Sequence, residues 1–222
     1  MVRTSNVRSS PADAPRRTRR RDARRDDILR AAARTFRRRG FADTGMRDIA
    51  EAADLSAANL YHYFRGKDEI LYYCQDRALD RMLESIAVAR KAETTATGRL
   101  RRVLTAHLTT MLDEVEGASA HLETDALPPA LRERIVRKRD RYERAIRRLI
   151  ADGVRRGECV APDPALAARA MLGALNWTAT WFDPAGPKPA GLVADEMAAF
   201  LVRAVAARST GASRRLKLIA TR

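Results

Sequence analysis

From residue 22 onward, apolar side chains recur at steps of three and four residues, the spacing of one face of an α-helix. In the first such stretch these positions are Ile28, Leu29, Ala32, Ala33 and Phe36. The stretch ends at Gly40, a residue suited to the left-handed cap of a helix. No segment alternates apolar and polar residues between turn signals, so the pattern predicts an all-α fold.

Two short helices are predicted directly after Gly40. The first begins near Thr44 or Gly45, and its buried face is Met46, Ile49, Ala50 and Ala53. A tight turn at Asp54-Leu55 leads to Ser56, a good N-cap for a second helix over residues 57–63. Such a pair is too small to fold alone and needs the preceding helix as its third wall. The arrangement is that of a helix-turn-helix.

A larger helical body is predicted to follow. A long amphipathic helix begins near Lys67, after Gly66, and runs past Arg90. Later helices cover about 97–114, 134–156, 165–182 and 192–207, and a further helix starts at Pro128-Pro129. We therefore predict four regions: a disordered Arg-rich tail (1–21), a helix-turn-helix domain (22–66), a larger helical domain (67–207) and a basic C-terminal tail (208–222).

The charge of the chain is concentrated at its two ends. The net charge is +15; residues 1–25 hold nine Arg against two Asp, and residues 208–222 hold four Arg and one Lys without an acid. A nearly balanced body with cationic ends favours a polyanion partner, nucleic acid before membrane. Solvated, disordered ends are the alternative interpretation, and only five of the 43 basic residues are Lys, a bias that genome composition alone can produce.

Several classes of protein are disfavoured by the sequence. The two cysteines, Cys74 and Cys159, are isolated, which suits a reducing cytoplasm, and no apolar run has the length of a signal peptide or a membrane span. No second ligand stands near His107 or His121 at metal spacing. Nucleophile–base pairs, carboxylate pairs and phosphate-binding Gly loops are missing as well, so we expect no enzyme, no metal and no cofactor.

The second short helix carries the chemistry of DNA recognition. In a helix-turn-helix this helix enters the major groove. Ala58 is small enough for close approach to bases, and the Asn59 amide can pair with adenine. Tyr61 and His62 can donate to phosphates, and Lys67 stands at a helix N-terminus that favours a phosphate.

The string MRDIAEAADLSAANLYHYFRGKDEIL closely resembles the DNA-binding signature of the TetR family of bacterial transcriptional repressors, together with a first helix that ends in RRRGF. The resemblance implies a homodimer on a palindromic double-stranded DNA operator. It makes residues 22–66 the DNA-binding domain and residues 67–207 a ligand-binding and dimerisation domain that takes an inducer. It also implies that Arg47 contacts a base, that Asn59, Leu60 and Tyr61 read the major groove, and that His62, Tyr63 and Lys67 contact its edge. The complete predicted DNA set is Thr44, Arg47, Ser56, Ala58, Asn59, Tyr61, His62, Tyr63 and Lys67. Two positions depart from the family: Gly45 replaces a usual Ser or Thr, and Asp54 replaces a common turn Gly.

The helix over 165–182 is apolar nearly all round and is therefore expected to be buried. Asn176 and Thr180 share one of its faces, and Trp177 and Trp181 share the adjacent one. A buried Asn176 would mark either a polar contact with a ligand or a hydrogen bond across a dimer interface. An aromatic core with an internally bonded Asn is the alternative. The predicted ligand set is Leu104, His107, Met111, Leu172, Asn176, Trp177, Thr180 and Trp181.

Our leading hypothesis is a repressor that a small hydrophobic effector releases from DNA. The segment LNWTATWF and the Pro/Gly loop after it resemble family members that sense fatty acyl-CoA, which makes acyl-CoA a candidate effector. The alternative is an architectural or nonspecific DNA-binding protein without an inducer. It predicts a steep salt dependence and no operator preference.

Overall fold

The computed structural model describes residues 13–112 and 124–207, with side chains from Thr18 onward. Helices dominate the described residues, which contain no strand, and the all-α prediction is confirmed. The helices are α1 (Asp13–Arg39), α2 (Met46–Ala52), α3 (Ala57–Tyr61), α4 (Lys67–Ala92), α5 (Ala96–Leu112), α6 (Pro129–Arg155), α7 (Pro164–Trp181) and α8 (Ala190–Val205), with a 3₁₀ turn at Thr124–Ala126.

Local signals set most of the helix boundaries. Gly40 and Gly157 take positive φ angles of 81° and 69° directly after α1 and close to the end of α6, as expected of glycine at helix C-termini. Ser56 accepts a hydrogen bond from the Asn59 amide at the start of α3. Asp163 accepts two backbone bonds at the start of α7, where Pro164 is the first helical residue.

Two helices are longer than predicted. The helix α1 begins at Asp13, so residues 13–21, which we expected to be part of a disordered tail, are helical. Ala and Arg are favourable in helices, and the only proline there, Pro15, is tolerated in a first turn. The helix α6 is continuous from Pro129, because no Gly or Pro interrupts the chain before Gly153. Residues 1–12, 113–123 and 208–222, which include His121 and both expected tail ends, lie outside the described residues.

The helix α4 belongs to both halves of the molecule. At its beginning it packs on α1, which also contacts α2, and α2 contacts α3. Further along, α4 packs on α5 and α6 in the body, where α5 contacts α4, α6, α7 and α8. The helix α4 is therefore an element that joins the helix-turn-helix to the body.

The helix α7 is not buried on all sides, so that prediction is wrong for the single chain. Its buried positions are Ala168, Met171, Leu175 and Thr178. Leu166 and Trp177 on its other side are 65% and 64% exposed. The helix α7 thus has two apolar faces. One packs against the rest of this chain, and the other is exposed to solvent. Among the described residues, no helix has the length and apolar character that crossing a membrane requires.

Candidate DNA-binding surface and ligand cavity

The helix α3 divides into a buried side and an exposed side. Leu60 is completely buried and anchors the helix in the core. Ala58, Asn59 and His62 are exposed, and Tyr61 is 55% exposed. The predicted recognition residues therefore form one accessible surface, whereas the resemblance-based reading of Leu60 as a base reader does not fit its position.

Arg24 of α1, which the sequence did not single out, holds the turn between α2 and α3. Asp54 takes a left-handed conformation with φ 52°, which an aspartate tolerates less readily than glycine. The Arg24 guanidinium donates to the carbonyl oxygens of Ala53 and Asp54 at 3.2 and 3.1 Å. These carbonyls end α2, so a cation beside them is favourable. The stretch of Arg in α1 gave no sign of which arginine would reach this turn.

The start of α2 is fixed without a hydroxyl cap. The Gly45 amide donates to the Asp48 carboxylate at 2.8 Å, and the Arg39 guanidinium donates to the same carboxylate at 2.5 Å. The hydrogen bond from Gly45 and the charge of Arg39 lower the pKa of Asp48. Arg47, the predicted base contact, is exposed next to this network.

Four residues of the predicted DNA set make contacts within the protein itself. Thr44 is buried and its hydroxyl donates to the Gly40 carbonyl at 2.7 Å, so it does not reach the DNA-facing surface. Lys67 donates from Nζ to the Phe41 and Ala42 carbonyls at 2.9 and 3.1 Å. Two of its three N–H donors thus tie α4 to the segment that follows α1, which leaves at most one for a phosphate. Ser56 caps α3, and Tyr63 is half-buried against the core.

Charged contacts join α1 to α4 next to the helix-turn-helix. Arg77 of α4 forms a two-pronged ion pair with Asp26 of α1, with Nη2 and Oδ2 at 3.1 Å. The Arg25 guanidinium lies over the rings of Phe64 and Tyr73, 4.9 and 4.7 Å from their centroids. Both contacts fix the orientation of the DNA-binding unit on α4.

A cavity of about 370 Å³ lies between four helices of the body. It is lined from α4, α5, α6 and α7 by Leu79, Met82, His107, Met111, Arg139, Asp140, Tyr142, Glu143, Arg169, Leu172 and Asn176. One part of the wall is apolar and the other carries charged and hydrogen-bonding groups. The cavity therefore suits an amphipathic small molecule.

His107 and Tyr142 form the polar centre of this wall. The imidazole Nδ1 is 3.2 Å from the Tyr142 hydroxyl, and Nε2 is 2.9 Å from the Met111 sulfur. Burial lowers the pKa of His107 to about 4, while a hydrogen bond with Asn176 acts in the opposite direction. Burial also raises the pKa of Tyr142. Both groups are therefore neutral near pH 7.

The structure gathers half of the predicted ligand set around the cavity. His107, Met111, Leu172 and Asn176 line it. Asn176 is exposed at the surface rather than buried.

The other half of that set lies elsewhere. Leu104 is a completely buried core residue and does not line the cavity. Trp177, Thr180 and Trp181 lie on the outer face of α7, because α7 turns only one side toward α5 and α6. The sequence did not identify Arg139, Tyr142 and Glu143 of α6 as cavity residues. The signal that could have found them is a hydroxyl and two charged groups beside the apolar stripe of that helix.

A second, open depression of about 790 Å³ lies between the end of α7, the loop that follows and α8. Its apolar floor includes Trp181, Val193, Met197 and Phe200, and Phe200 is 60% exposed. Together with Trp177 of α7, which is 64% exposed, these side chains give α7 and α8 an exposed apolar surface. Large exposed apolar side chains of this kind suit a contact with another molecule.

A short exposed recognition helix, held on a long helix that also walls a body cavity, defines a helix-turn-helix protein with a separate helical body. The family description "Bacterial regulatory proteins, tetR family" matches residues 28–74, and "Tetracyclin repressor-like, C-terminal domain" matches residues 93–205. The second match alone spans more than half of the chain. The protein belongs to the TetR family.

Individual relatives agree with this assignment. The chain is 32% identical over 117 residues to the HTH-type transcriptional activator FasR of Mycolicibacterium smegmatis, covering 52% of this chain and 53% of FasR. It is 41% identical over 49 residues to the HTH-type transcriptional repressor KstR2 of the same organism, covering 22% of this chain and 24% of KstR2. The chain thus matches only a quarter to a half of the length of these curated relatives.

Solved structures extend the likeness over most of the fold. The TetR family transcriptional regulator PfmR from Thermus thermophilus is 34% identical with a TM-score of 0.72, covering 79% of this chain and 97% of that one. AibR in complex with isovaleryl coenzyme A and operator DNA is 25% identical with a TM-score of 0.67, covering 81% of this chain and 98% of that one.

Proposed function

We propose that this protein is a homodimeric transcriptional repressor that binds a palindromic operator and leaves it when an acyl-CoA or a related amphipathic effector fills the cavity. The observation that carries the proposal is the position of α4, which packs on α1 of the DNA-binding unit and also supplies Leu79 and Met82 to the cavity wall. One rigid helix thus connects the two sites.

The exposed side of α3 supports sequence-specific binding. Asn59 can make two hydrogen bonds to adenine, and Ala58 leaves room for close approach to a thymine methyl. Tyr61, His62 and the exposed Arg47 flank this pair and suit contacts to phosphates or neighbouring bases. The caps and the Arg24 bonds hold α3 in place before DNA arrives, which lowers the entropic cost of binding.

The exposed apolar surface of α7 and α8 supports the homodimer. Trp177 and Phe200 are more than half exposed in the single chain, which is unfavourable for large apolar side chains in water. A two-fold axis would place each surface on its own copy. It would also set the two α3 helices about 34 Å apart, as two half-sites on one DNA face require.

The cavity supports an amphipathic effector. Its apolar wall suits an acyl chain, and Arg139 and Arg169 line the same cavity, where they could attract phosphate groups. AibR, a solved structure of similar fold, was determined with isovaleryl coenzyme A and operator DNA. A ligand shifts the equilibrium between dimer shapes only if it prefers one of them. Filling a cavity that α4 borders provides such a preference.

DNA binding by wild type and Asn59→Ala tests the first half of the proposal. The two duplexes are an operator obtained by selection from a random DNA library and a scrambled version of it. Fluorescence anisotropy should show that the variant loses about tenfold or more in affinity for the operator. Its affinity for the scrambled duplex should stay unchanged. Glu84→Ala, exposed on α4 and about 25 Å along that helix from Lys67, is the matched control and should behave as wild type. Equal losses on both duplexes would favour the nonspecific, architectural alternative.

The direction of regulation needs a separate readout. A promoter that contains the operator, fused to a reporter, should become more active when the protein is deleted and when the effector is supplied. Lower activity in the deletion strain would identify an activator instead.

A further inference from the structure

One polar atom of the cavity is left without a partner. Glu143 follows Tyr142 on α6 and is half-buried in the wall. Its Oε1 is inaccessible to solvent and accepts no hydrogen bond from the residues that the structure describes. A buried acceptor in this state is unfavourable, and native proteins satisfy nearly all such atoms.

Donors on the described residues of the cavity wall do not meet this oxygen. Arg139, one turn earlier on α6, and Asn176, on α7, line the same cavity. Asn176 interacts instead with His107, and Tyr142 is bonded to that same imidazole. The unpaired oxygen faces the cavity wall, so a molecule that occupies the cavity can supply the donor.

The opposite wall of the cavity indicates which kind of molecule carries this donor. Leu79 and Met82 of α4, Met111 of α5 and Leu172 of α7 present apolar surface to the same space. A molecule that fits both walls has an apolar chain with a hydrogen-bond donor near one end. An acyl conjugate with an amide N–H, such as an acyl-pantetheine arm, or with a chain hydroxyl, meets this description. A free fatty acid, ionised near pH 7, and a methyl ester have no such donor.

We infer that Glu143 is the specificity-determining residue of the effector site, accepting a hydrogen bond from an amide N–H or a hydroxyl of the effector. This inference rests on the proposed function, since it names the chemistry of the same cavity. It predicts that the protein distinguishes effectors by the presence of a hydrogen-bond donor and not by chain length alone. A site that hydrogen-bonds a donor rejects an analogue that lacks it.

The test compares probes that differ in this donor. Isothermal titration calorimetry with the full-length dimer would use a fatty acid methyl ester, the 3-hydroxy derivative of the same ester and an acyl-pantetheine of equal chain length. Wild type should bind the two donor-bearing probes about tenfold or more tightly than the ester without the hydroxyl. Glu143→Leu, which removes the acceptor and keeps an apolar side chain, should lose this preference and bind that ester better than wild type does. Glu133→Leu, at an exposed position of the same helix, is the control and should keep the wild-type preference.

The outcomes separate this inference from the proposed function. If wild type and Glu143→Leu prefer the donor-bearing probes equally, the role of Glu143 is refuted while an acyl effector stands. If no probe binds wild type, the acyl effector itself is refuted and the inference with it. Thermal unfolding of both variants without ligand shows whether each is folded, and Glu143→Gln, which retains an acceptor oxygen, should preserve part of the preference.

Discussion

Replacing His107 by glutamine is expected to remove a pH-dependent part of the protein's stability. In the folded chain the imidazole is buried beside Tyr142 and Met111, and burial lowers its pKa to about 4 from an ordinary value of 6.5. The unfolded chain therefore takes up a proton on this residue at a pH where the folded chain does not. Glutamine keeps a hydrogen-bonding side chain but cannot take up this proton.

The sign and the size follow from proton linkage. Because the folded pKa is depressed, the unfolded state binds more protons below pH 6.5, and stability falls as the pH decreases toward 4. The two pKa values give a loss of about 2 kcal/mol between pH 7.5 and pH 5, and about 3 kcal/mol near pH 4. Above pH 7 the contribution no longer changes.

Urea denaturation followed by circular dichroism measures this loss. Wild type and His107→Gln would be unfolded at matched protein concentration at several pH values from 7.5 to 4.5, since dimer stability depends on concentration. Carboxylates titrate in both proteins, so the difference between the two free energies of unfolding isolates residue 107. That difference should shrink by about 2 kcal/mol on going to pH 5. A difference that stays constant with pH would refute the neutral, buried state of His107.

Other contacts make equally direct predictions. Ser56→Ala removes the cap of α3 and should lower the free energy of unfolding by about 1 kcal/mol in urea denaturation; no change would mean that the cap is unimportant. Arg24→Met should weaken operator binding in anisotropy assays with little change in melting temperature, because it frees the turn that orients α3, whereas unaltered affinity would contradict this role. Trp177→Ser combined with Phe200→Ser should convert the dimer to a monomer in light scattering, and a persistent dimer would place the interface elsewhere. Lys138 of α6 forms ion pairs with Asp76 and Asp80 of α4, at 2.6 and 2.8 Å. Lys138→Met breaks these ion pairs and should reduce the effect of the effector on operator affinity; an unchanged effect would exclude these pairs from the coupling.

The DNA-binding unit was predictable because short-range signals determine it. Gly40 marks a helix end by its left-handed backbone, and Ser56 marks a helix start by its side-chain hydrogen bond. The apolar spacing identified Ile49 and Ala50 as buried residues of α2. What the sequence could not show is which polar groups turn inward. Thr44 and Lys67 were expected at the DNA surface, yet both bond to carbonyls at the end of α1.

The body was less predictable because its site is assembled from four helices. The cavity brings together residues as distant as Leu79 and Asn176, and periodicity within one helix does not reveal such a meeting. Trp177 illustrates the difficulty, since an apolar residue on a helix can face either the core or another molecule. The spacing of α7 predicts apolar faces but not which of them the same chain covers.

Selection of bound duplexes from a random DNA library, followed by sequencing, tests the central claim most directly. The account predicts enrichment of an inverted repeat whose half-site centres are separated by about one helical turn or a multiple of it, with the enrichment lost in Asn59→Ala. Recovery of DNA without a shared motif, with retention governed only by salt concentration, would contradict it and identify a nonspecific DNA-binding protein.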